Sequence, residues 1–453
     1  MGHPAPPTLL VVHDQGSAGP LRILSAARGL CRIVFLCEAE HPLLAPELRQ
    51  IAAHADVVDI TGLDEGEVGG LAARLAPDGI VTFSEHRLRL TAAVAARCGL
   101  PFHSAETAAA LTDKYRQRQA LAAGGVQDTG CVLVRHPDES AAALAVTGTP
   151  AVLKPRHGAG SVDTCLVGSA AECRDRLAEF TEAEPRKSVQ ESARESAPEP
   201  VREFVLEEYL RGDPALAASG WGDFVSVESL VVDGEPRTVA VTGKPPLVPP
   251  FRETGHILPA PLTSATAADV VRLEQRALRA LGIRHGVTHT EVKLTADGPR
   301  IIEVNGRLGG FIAEIVQRRT GFDMVAAALR LALGLPVTAP EPPAPGPAAG
   351  AVAFQYLLIP PAGPVRPGPL SLIETLEEIP GIDLVDVSAP KEPGRGDADG
   401  SWRRGTLGAI GVVYGTAPDH AQLAGLLRLL EERMDRFWYG APDADPAVRS
   451  GAA

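Results

Sequence analysis

The amino-acid sequence predicts a multidomain protein, α/β in its first hundred residues and α+β beyond them. Three observations predict this. Up to about residue 100, short apolar runs alternate with helical stretches, the pattern of a parallel sheet with crossover helices. Further on, apolar runs are joined by turn signals at Asp233-Gly234 and around Asp297, which indicate antiparallel hairpins. The chain has 453 residues, enough for about three domains at roughly 150 residues each. Apolar residues are 45% and charged residues 22% of the chain, which excludes a wholly disordered protein. No run of roughly 18 apolar residues exists to span a membrane. The segment Met1-Gly2-His3-Pro4-Ala5-Pro6-Pro7 has neither the basic region of a secretory signal nor the pattern for myristoylation, so a cytoplasmic protein is expected.

The elements follow in order. Thr8–Val12 reads as a strand, Gly16 and Gly19 lead into a helix ending near Arg28-Gly29, and Arg32–Leu36 and Val57–Ile60 are further strands. A helix over Glu65–Ala76, a strand over Gly79–Phe83 and a helix over Arg87–Cys98 complete a Rossmann-like N-terminal domain over residues 1–111. Its first turn, His13-Asp14-Gln15-Gly16-Ser17-Ala18-Gly19, does not fit the dinucleotide fingerprint, so this domain is expected to hold no nucleotide of its own. Asp113 caps a helix that Gly124-Gly125 closes. Strands at Cys131–Val134, Ala151–Lys154 and Thr164–Val167 bracket a helix at Asp138–Ala145, and Ser169 with Glu172 forms a capping box for the next helix. Residues 182–203 carry almost no apolar side chains and read as an exposed, disordered insertion. Strands resume at Phe204–Tyr209, Phe224–Val232 and Arg237–Val241, then come a helix over Ala267–Leu281, a hairpin over Val287–Asn305, and helices over Gly310–Thr320 and Asp323–Leu333. Residues 112–335 thus form the central unit. The proline-rich 336–350 is a linker, 351–440 a small α+β C-terminal domain, and 441–453 a frayed tail.

The net charge of −13 argues against nucleic-acid binding as the main task. Six scattered cysteines form no C-x-x-C pair and read as reduced core thiols.

The strongest chemical signal is the hairpin from Gly286 to Arg307. The period of two places His289, Glu291 and Lys293 on one strand face, and Ile301, Glu303, Asn305 and Arg307 on one face of the next. Glu291 opposes Glu303 only if the loop has an odd length centred on Asp297. A three-residue loop over Ala296-Asp297-Gly298, with Gly298 left-handed, meets that need; a two-residue turn at Asp297-Gly298 puts the carboxylates on opposite faces. If they coincide, two carboxylates and an amide oxygen make a hard-oxygen site suited to Mg²⁺. The alternative is a solvated face with ion pairs through Lys293. Gly306, Gly309 and Gly310 around Arg307 suggest backbone close to a ligand. Lys154 precedes the loop Gly158-Ala159-Gly160-Ser161, which either cradles phosphates or is a plain turn. Lys114 at a helix start opposes the helix dipole, a misfit that favours a functional role. Strand Phe204–Leu210 has the acids Glu207 and Glu208 before Leu210, and can present backbone groups to an adenine edge.

Together these pieces resemble the ATP-grasp superfamily of carboxylate–amine ligases over about residues 5–335, with 350–440 similar to the C-terminal domain of the biotin-carboxylase-like branch. The resemblance implies central ATP-grasp domains that use ATP with Mg²⁺, for which Mn²⁺ can substitute. It implies that Lys114, Lys154, Gly158, Gly160, Ser161, Glu207, Glu208, Leu210 and Glu228 bind ATP. Glu291, Glu303 and Asn305 match the metal ligands, and Arg307 matches the arginine that stabilises the acyl-phosphate or tetrahedral species. The stretch Glu253-Thr254-Gly255-His256 is similar to that of L-amino-acid ligases, which implies that Glu253, His256, Arg307, Gly309 and Gly310 lie near substrate; His256 can equally be a satisfied loop histidine. The implied activity is ADP-forming amide or peptide bond formation between amino acids or other small carboxylates, without nucleic acid or membrane, and compatible with a homodimer. Two alternatives stay open: a nucleotide-binding sensor or scaffold that has lost catalysis, and a biotin-dependent carboxylase subunit. No biotinylation segment accompanies the latter. The role of Lys244 stays open as well.

Overall fold

The computed structural model describes residues 6–39, 41, 44–182, 202–217, 219–346, 350–361, 368, 371–387 and 401–439. Most of the insertion expected at 182–203, three residues of the linker and the tail from 441 on lie outside the described residues.

The N-terminal unit is a parallel sheet of β1 (Thr8–Val12), β2 (Arg32–Cys37), β3 (Asp56–Asp59) and β4 (Gly79–Val81), in the order β3-β2-β1-β4. β1 is buried along its whole length, as a run of apolar residues with helices on both sides requires. Gly16 follows β1 because a Cβ there would stand 2.2 Å from the Phe83 carbonyl oxygen.

A second, antiparallel sheet joins β5 (Cys131–Val134), β6 (Ala151–Pro155), β7 (Cys165–Val167) and β8 (Phe204–Glu208) in the order β5-β8-β6-β7. One face packs on helices Ser140–Thr147 and Ala170–Glu182 through Leu144, Leu153, Leu177, Phe180 and Phe204. Ser169 caps the latter helix by accepting from Glu172 N, but the reciprocal Glu172 carboxylate turns to Gly168 N. Beside this sheet, helix Lys114–Ala123 starts where expected, with Asp113 accepting from Tyr115 N and Arg116 N.

The third sheet has eight antiparallel strands: β9 (Phe224–Val232), β10 (Glu235–Gly243), β11 (Gly255–Leu258), β12 (Gly286–Thr295), β13 (Gly298–Asn305), β14 (Val352–Leu357), β15 (Ile382–Val387) and β16 (Gly411–Ala417). Their order is β13-β12-β9-β10-β11-β14-β16-β15. The residues from Ala351 on, expected as an appendage, therefore extend the central sheet through the β11–β14 pairing. One face packs on helix Ser264–Ala280, where Val270, Leu273, Ala277 and Leu278 recur at helical spacing and meet Val225, Val227, Val292 and Ile301. The other face meets the N-terminal unit: Leu230, Val239, Leu258 and Val287 share a core with Leu9, Val11 and Phe35. On the same face, the β12–β13 end of this sheet stands opposite the β5–β8 sheet; Lys114 bridges the two by contacting Glu303 and Gly158 O, and the space they flank is the cleft described below.

The hairpin corrects one expectation. Thr295 pairs directly with Gly298, so the loop is two residues, Ala296-Asp297, not three, although Gly298 does take a positive φ of 108°. Left alone, that register would set Glu291 against Ile302. A bulge in β13 absorbs one residue, Val292 pairing with Ile301 and Glu291 with Glu303. The bulge is held from outside: Arg118 Nη2 donates to Ile302 O at 2.6 Å and Arg118 Nη1 to Ile301 O at 3.0 Å. β13 is an edge strand, and two glutamines complete its ladder. Gln117 accepts from Val304 N (2.8 Å) and donates to Val304 O (2.9 Å); Gln127 does the same for Ile301 N (2.6 Å) and Ile301 O (3.0 Å).

Candidate active site

The bulged register puts Glu291 and Glu303 at directly opposed positions, with Asn305 opposite His289 two pairs further along, on the same face. Asn305 Nδ2 donates to His289 O (3.3 Å), and its Oδ1 accepts from Arg307 Nη2 (3.2 Å). Two carboxylates side by side repel unless cations accompany them. Lys114 Nζ is 3.3 Å from Glu303 Oε1 and donates to Gly158 O at 2.5 Å, so one ammonium ties the hairpin to the glycine loop. His289 Nε2 is 3.7 Å from Glu291 Oε1, while its Nδ1 lies 2.9 Å and 3.0 Å from the two oxygens of Glu228. Burial alone would lower the pKa of His289; the Glu228 charge and hydrogen bond overcome it and hold the ring protonated. Burial would raise Glu291, and the His289, Lys244 and Arg307 charges hold it well below the usual carboxylate range. The donor set of Glu291, Glu303 and Asn305 is all hard oxygen and fits Mg²⁺. Among the described residues no group of three His, Cys, Asp or Glu side chains is placed to hold a metal.

Across the cleft, Lys154 Nζ lies 2.8 Å from Glu207 Oε2, and Arg118 Nε and Nη2 contact the two Glu207 oxygens at 3.2 and 2.9 Å. Burial pushes Glu207 up, but the two cations bring it down to about 2. Period-two alternation turns Glu208 away from Glu207: its carboxylate accepts from Gly130 N (3.2 Å). Leu210 follows the end of β8. In the glycine loop, Gly158 and Gly160 have φ of 107° and 71°, and Ser161 is left-handed at 57°. The loop faces the C-terminal segment as well as Lys114: Thr406 N and Oγ1 donate to Gly160 O at 3.0 and 2.9 Å, and Arg403 Nε contacts Asp163 Oδ1 at 2.6 Å.

Arg307 Nε lies 3.2 Å from Glu85 Oε2, beyond the end of β4. Glu85 is buried, and burial, only partly offset by Arg307, raises its pKa. The glycines around Arg307 answer to protein neighbours first. A Cβ on Gly306 would meet Leu111 at 2.4 Å and His103 at 2.7 Å, and one on Gly309 would meet His289 at 2.4 Å; Gly310 has open space. Close approach to a ligand is therefore not what Gly306 and Gly309 require. Glu228, expected at the nucleotide, is fully buried and spends both oxygens on His289. Glu253 and His256 gather around Lys244, which contacts both, with the His256 ring 6.5 Å from that of His289. Lys293, the anchor of the solvated alternative, pairs with Asp223 at 2.6 Å.

Sequence reasoning missed Glu85, Arg118, Gln117 and the pairing role of His289. Glu85 had a signal, since ligands of open parallel sheets bind beyond the carboxyl ends of the strands. The side chains that brace β13 had none.

Residues 147–314 match the ATP-grasp domain family. Over 258 residues the chain is 28% identical to alanine–anticapsin ligase of Bacillus subtilis (strain 168), covering 56% of this chain and 53% of that protein. Over 204 residues it is 34% identical to carnosine synthase 1 of Gallus gallus, covering 43% of this chain and 20% of that protein. The chain thus spans about half the length of the bacterial relatives it matches, and less of the other. The L-amino acid ligase from Bacillus licheniformis superposes with a TM-score of 0.69 at 19% identity, over 95% of this chain and 98% of that one. A carboxyaminoimidazole ribonucleotide synthase of Aspergillus clavatus does so at 0.69 and 16%, over 95% and 99%. These structures share its mixed α/β multidomain fold.

Proposed function

Because the chain carries an ATP-grasp domain, we propose that it is an ADP-forming carboxylate–amine ligase that joins amino acids through an acyl phosphate. The observation that carries this is Lys114, whose ammonium stands between the glycine loop and Glu303. It supports a cleft in which the phosphate-binding and acidic elements serve one ligand. In this reading Lys114, Lys154 and the glycine-loop N–H groups hold the ATP phosphates and offset their charge. Glu291, Glu303 and Asn305 would hold Mg²⁺, which supplies further neutralisation of the phosphates when bound. The γ-phosphoryl group passes from ATP to a substrate carboxylate oxygen, and ADP leaves. An amine then attacks the carbonyl carbon, and phosphate leaves. Arg307, oriented by Asn305 and Glu85, stabilises the negative oxygen of the tetrahedral species. Placement and charge neutralisation are the protein's main contributions.

The relative named alanine–anticapsin ligase supports an amino acid as a substrate. The test is ADP release with pooled amino acids, followed by mass detection of dipeptides over amino-acid pairs. Amino-acid-dependent ADP formation is the expected result. Tight ATP binding without turnover under any pool would establish a sensor instead, and bicarbonate-dependent ADP formation a carboxylase.

A further inference from the structure

The pairing of Gly243 with Ile257 between β10 and β11 brings the next residues, Lys244 and His256, opposite each other. Lys244 is 1% exposed, and its Nζ lies 5.4 Å from the centre of the Phe224 ring. The ammonium contacts Glu253 Oε1 and, at 2.7 Å, His256 Nδ1. A buried ammonium needs a charged partner, and Glu253 is that partner. The contact with His256 has a stricter consequence. An ammonium carries three N–H donors and no acceptor, so the imidazole nitrogen facing it must offer its lone pair. The ring proton of a neutral histidine then resides on the other nitrogen.

We infer that Lys244 is a positioning residue that fixes His256 as the Nε2–H tautomer, so that the ring presents an N–H donor, and not a base, to a substrate carbonyl or carboxylate oxygen. His256 Nε2 is 3.8 Å from Glu253 Oε2, too long for a hydrogen bond. A donor and a carboxylate acceptor therefore stand side by side, next to His289. The charged groups facing His256 are Lys244 beyond β10, Glu253 before β11, and His289 of β12, whose ring stands edge-on at 6.5 Å and 82°. Behind His289 lie Glu228 of β9 and Glu291 of β12. Burial first, then the Lys244 and His289 charges, keep His256 neutral. The substrate part of the inference rests on the ligase reading; the tautomer is a property of the free protein.

The test is nitrogen-15 NMR of the full chain with labelled histidine, His256→Gln assigning the resonances. At neutral pH, His256 is expected to show an unprotonated Nδ1 and a protonated Nε2. Lys244→Met should move the Nδ1 signal toward the protonated range, and Lys244→Arg should keep it. A protonated Nδ1 in the unaltered protein, or an unchanged signature in Lys244→Met, overturns the assignment. The unaltered protein decides alone should Lys244→Met fail to fold. Amino-acid-dependent ADP release is measured in parallel. Its absence from the unaltered protein defeats the ligase reading and leaves the tautomer decided by the NMR signals. Where it is present, Lys244→Met should lose roughly tenfold or more, the value of one charged hydrogen bond, and Lys244→Arg should recover part of it.

Discussion

Strands β9, β10 and β12 carry buried polar side chains on both faces, and the two faces satisfy them differently. On the cleft face, Glu228 meets His289, and Lys244 meets Glu253 and His256. On the helix face, Thr238, Ser229 and Thr288 stand at directly opposed positions on the three strands, under Glu274 of helix Ser264–Ala280. None of their side-chain oxygens makes a well-formed hydrogen bond among the described residues. Both carboxylates are fully buried, yet Glu228 lies against a cation and Glu274 does not. Burial pushes Glu274 up to about 8, with the Ser229 hydroxyl acting against it. Burying an acid with no cation beside it favours its neutral form. Groups paired with cations thus gather on the face where a polyanionic substrate would need them.

The sharpest way to break this contrast is to remove a cleft acid that the proposed metal requires. Glu303→Ala should lower ADP release by at least about 10²-fold, the scale of losing one preorganised electrostatic group. Its side chain is 19% exposed and lies outside the apolar cores, so the melting temperature should change little. Near-normal turnover in this variant would mean that the acids do not serve a metal.

The next effect is on stability. Glu207→Ala leaves Arg118 and Lys154 buried without their shared anion. Breaking a buried pair by removing one partner costs about 3–5 kcal/mol, which chemical denaturation can read directly. A cost under about 1 kcal/mol would show that the Ile301 and Ile302 carbonyls satisfy Arg118 without Glu207, and that charge pairing across the cleft from the hairpin adds little.

Glu274 tests the other face through pH. Its folded pKa lies above its unfolded one, so the folded protein binds the extra proton between about 4.5 and about 8. Stability from this group is complete below pH 4.5 and falls as pH rises toward 8, by up to about 1.4 kcal/mol for each unit crossed. Glu274→Gln, which cannot ionise, should remove that part of the slope in denaturation measured from pH 5 to 8. An unchanged slope would place the charge elsewhere.

Much of this architecture was legible in the sequence because it rests on period and punctuation. Alternating runs marked the parallel sheet, and Asp113 marked the start of the helix that carries Lys114. The hairpin shows where legibility ends. Glu291 and Glu303 share a face, as period two suggested, but through a two-residue loop and a bulge at Ile302. The bulge depends on Arg118, a residue more than 180 positions away with no local pattern to reveal it. The same holds for Glu85, which reaches Arg307 only when two units pack together. Where residues lie close along the chain, the face they share is readable; where the contact is made across units, it is not.

The smallest effect concerns that hidden support. Gln117 closes the outer edge of β13 at Val304, between Glu303 and Asn305, by accepting from the amide and donating to the carbonyl. Gln117→Met keeps the length and bulk of the side chain but leaves a buried N–H and C=O unpaired. Such groups cost about 1–3 kcal/mol, a loss that a denaturant midpoint resolves if the transition slope is unchanged. The same variant should weaken Mg²⁺ dependence of ADP release, because the strand bearing two of the three metal-site residues loses its outer brace. If stability falls and the Mg²⁺ dependence does not, Gln117 serves the edge of the sheet alone, and the cleft face is set from within by the register of β12 and β13.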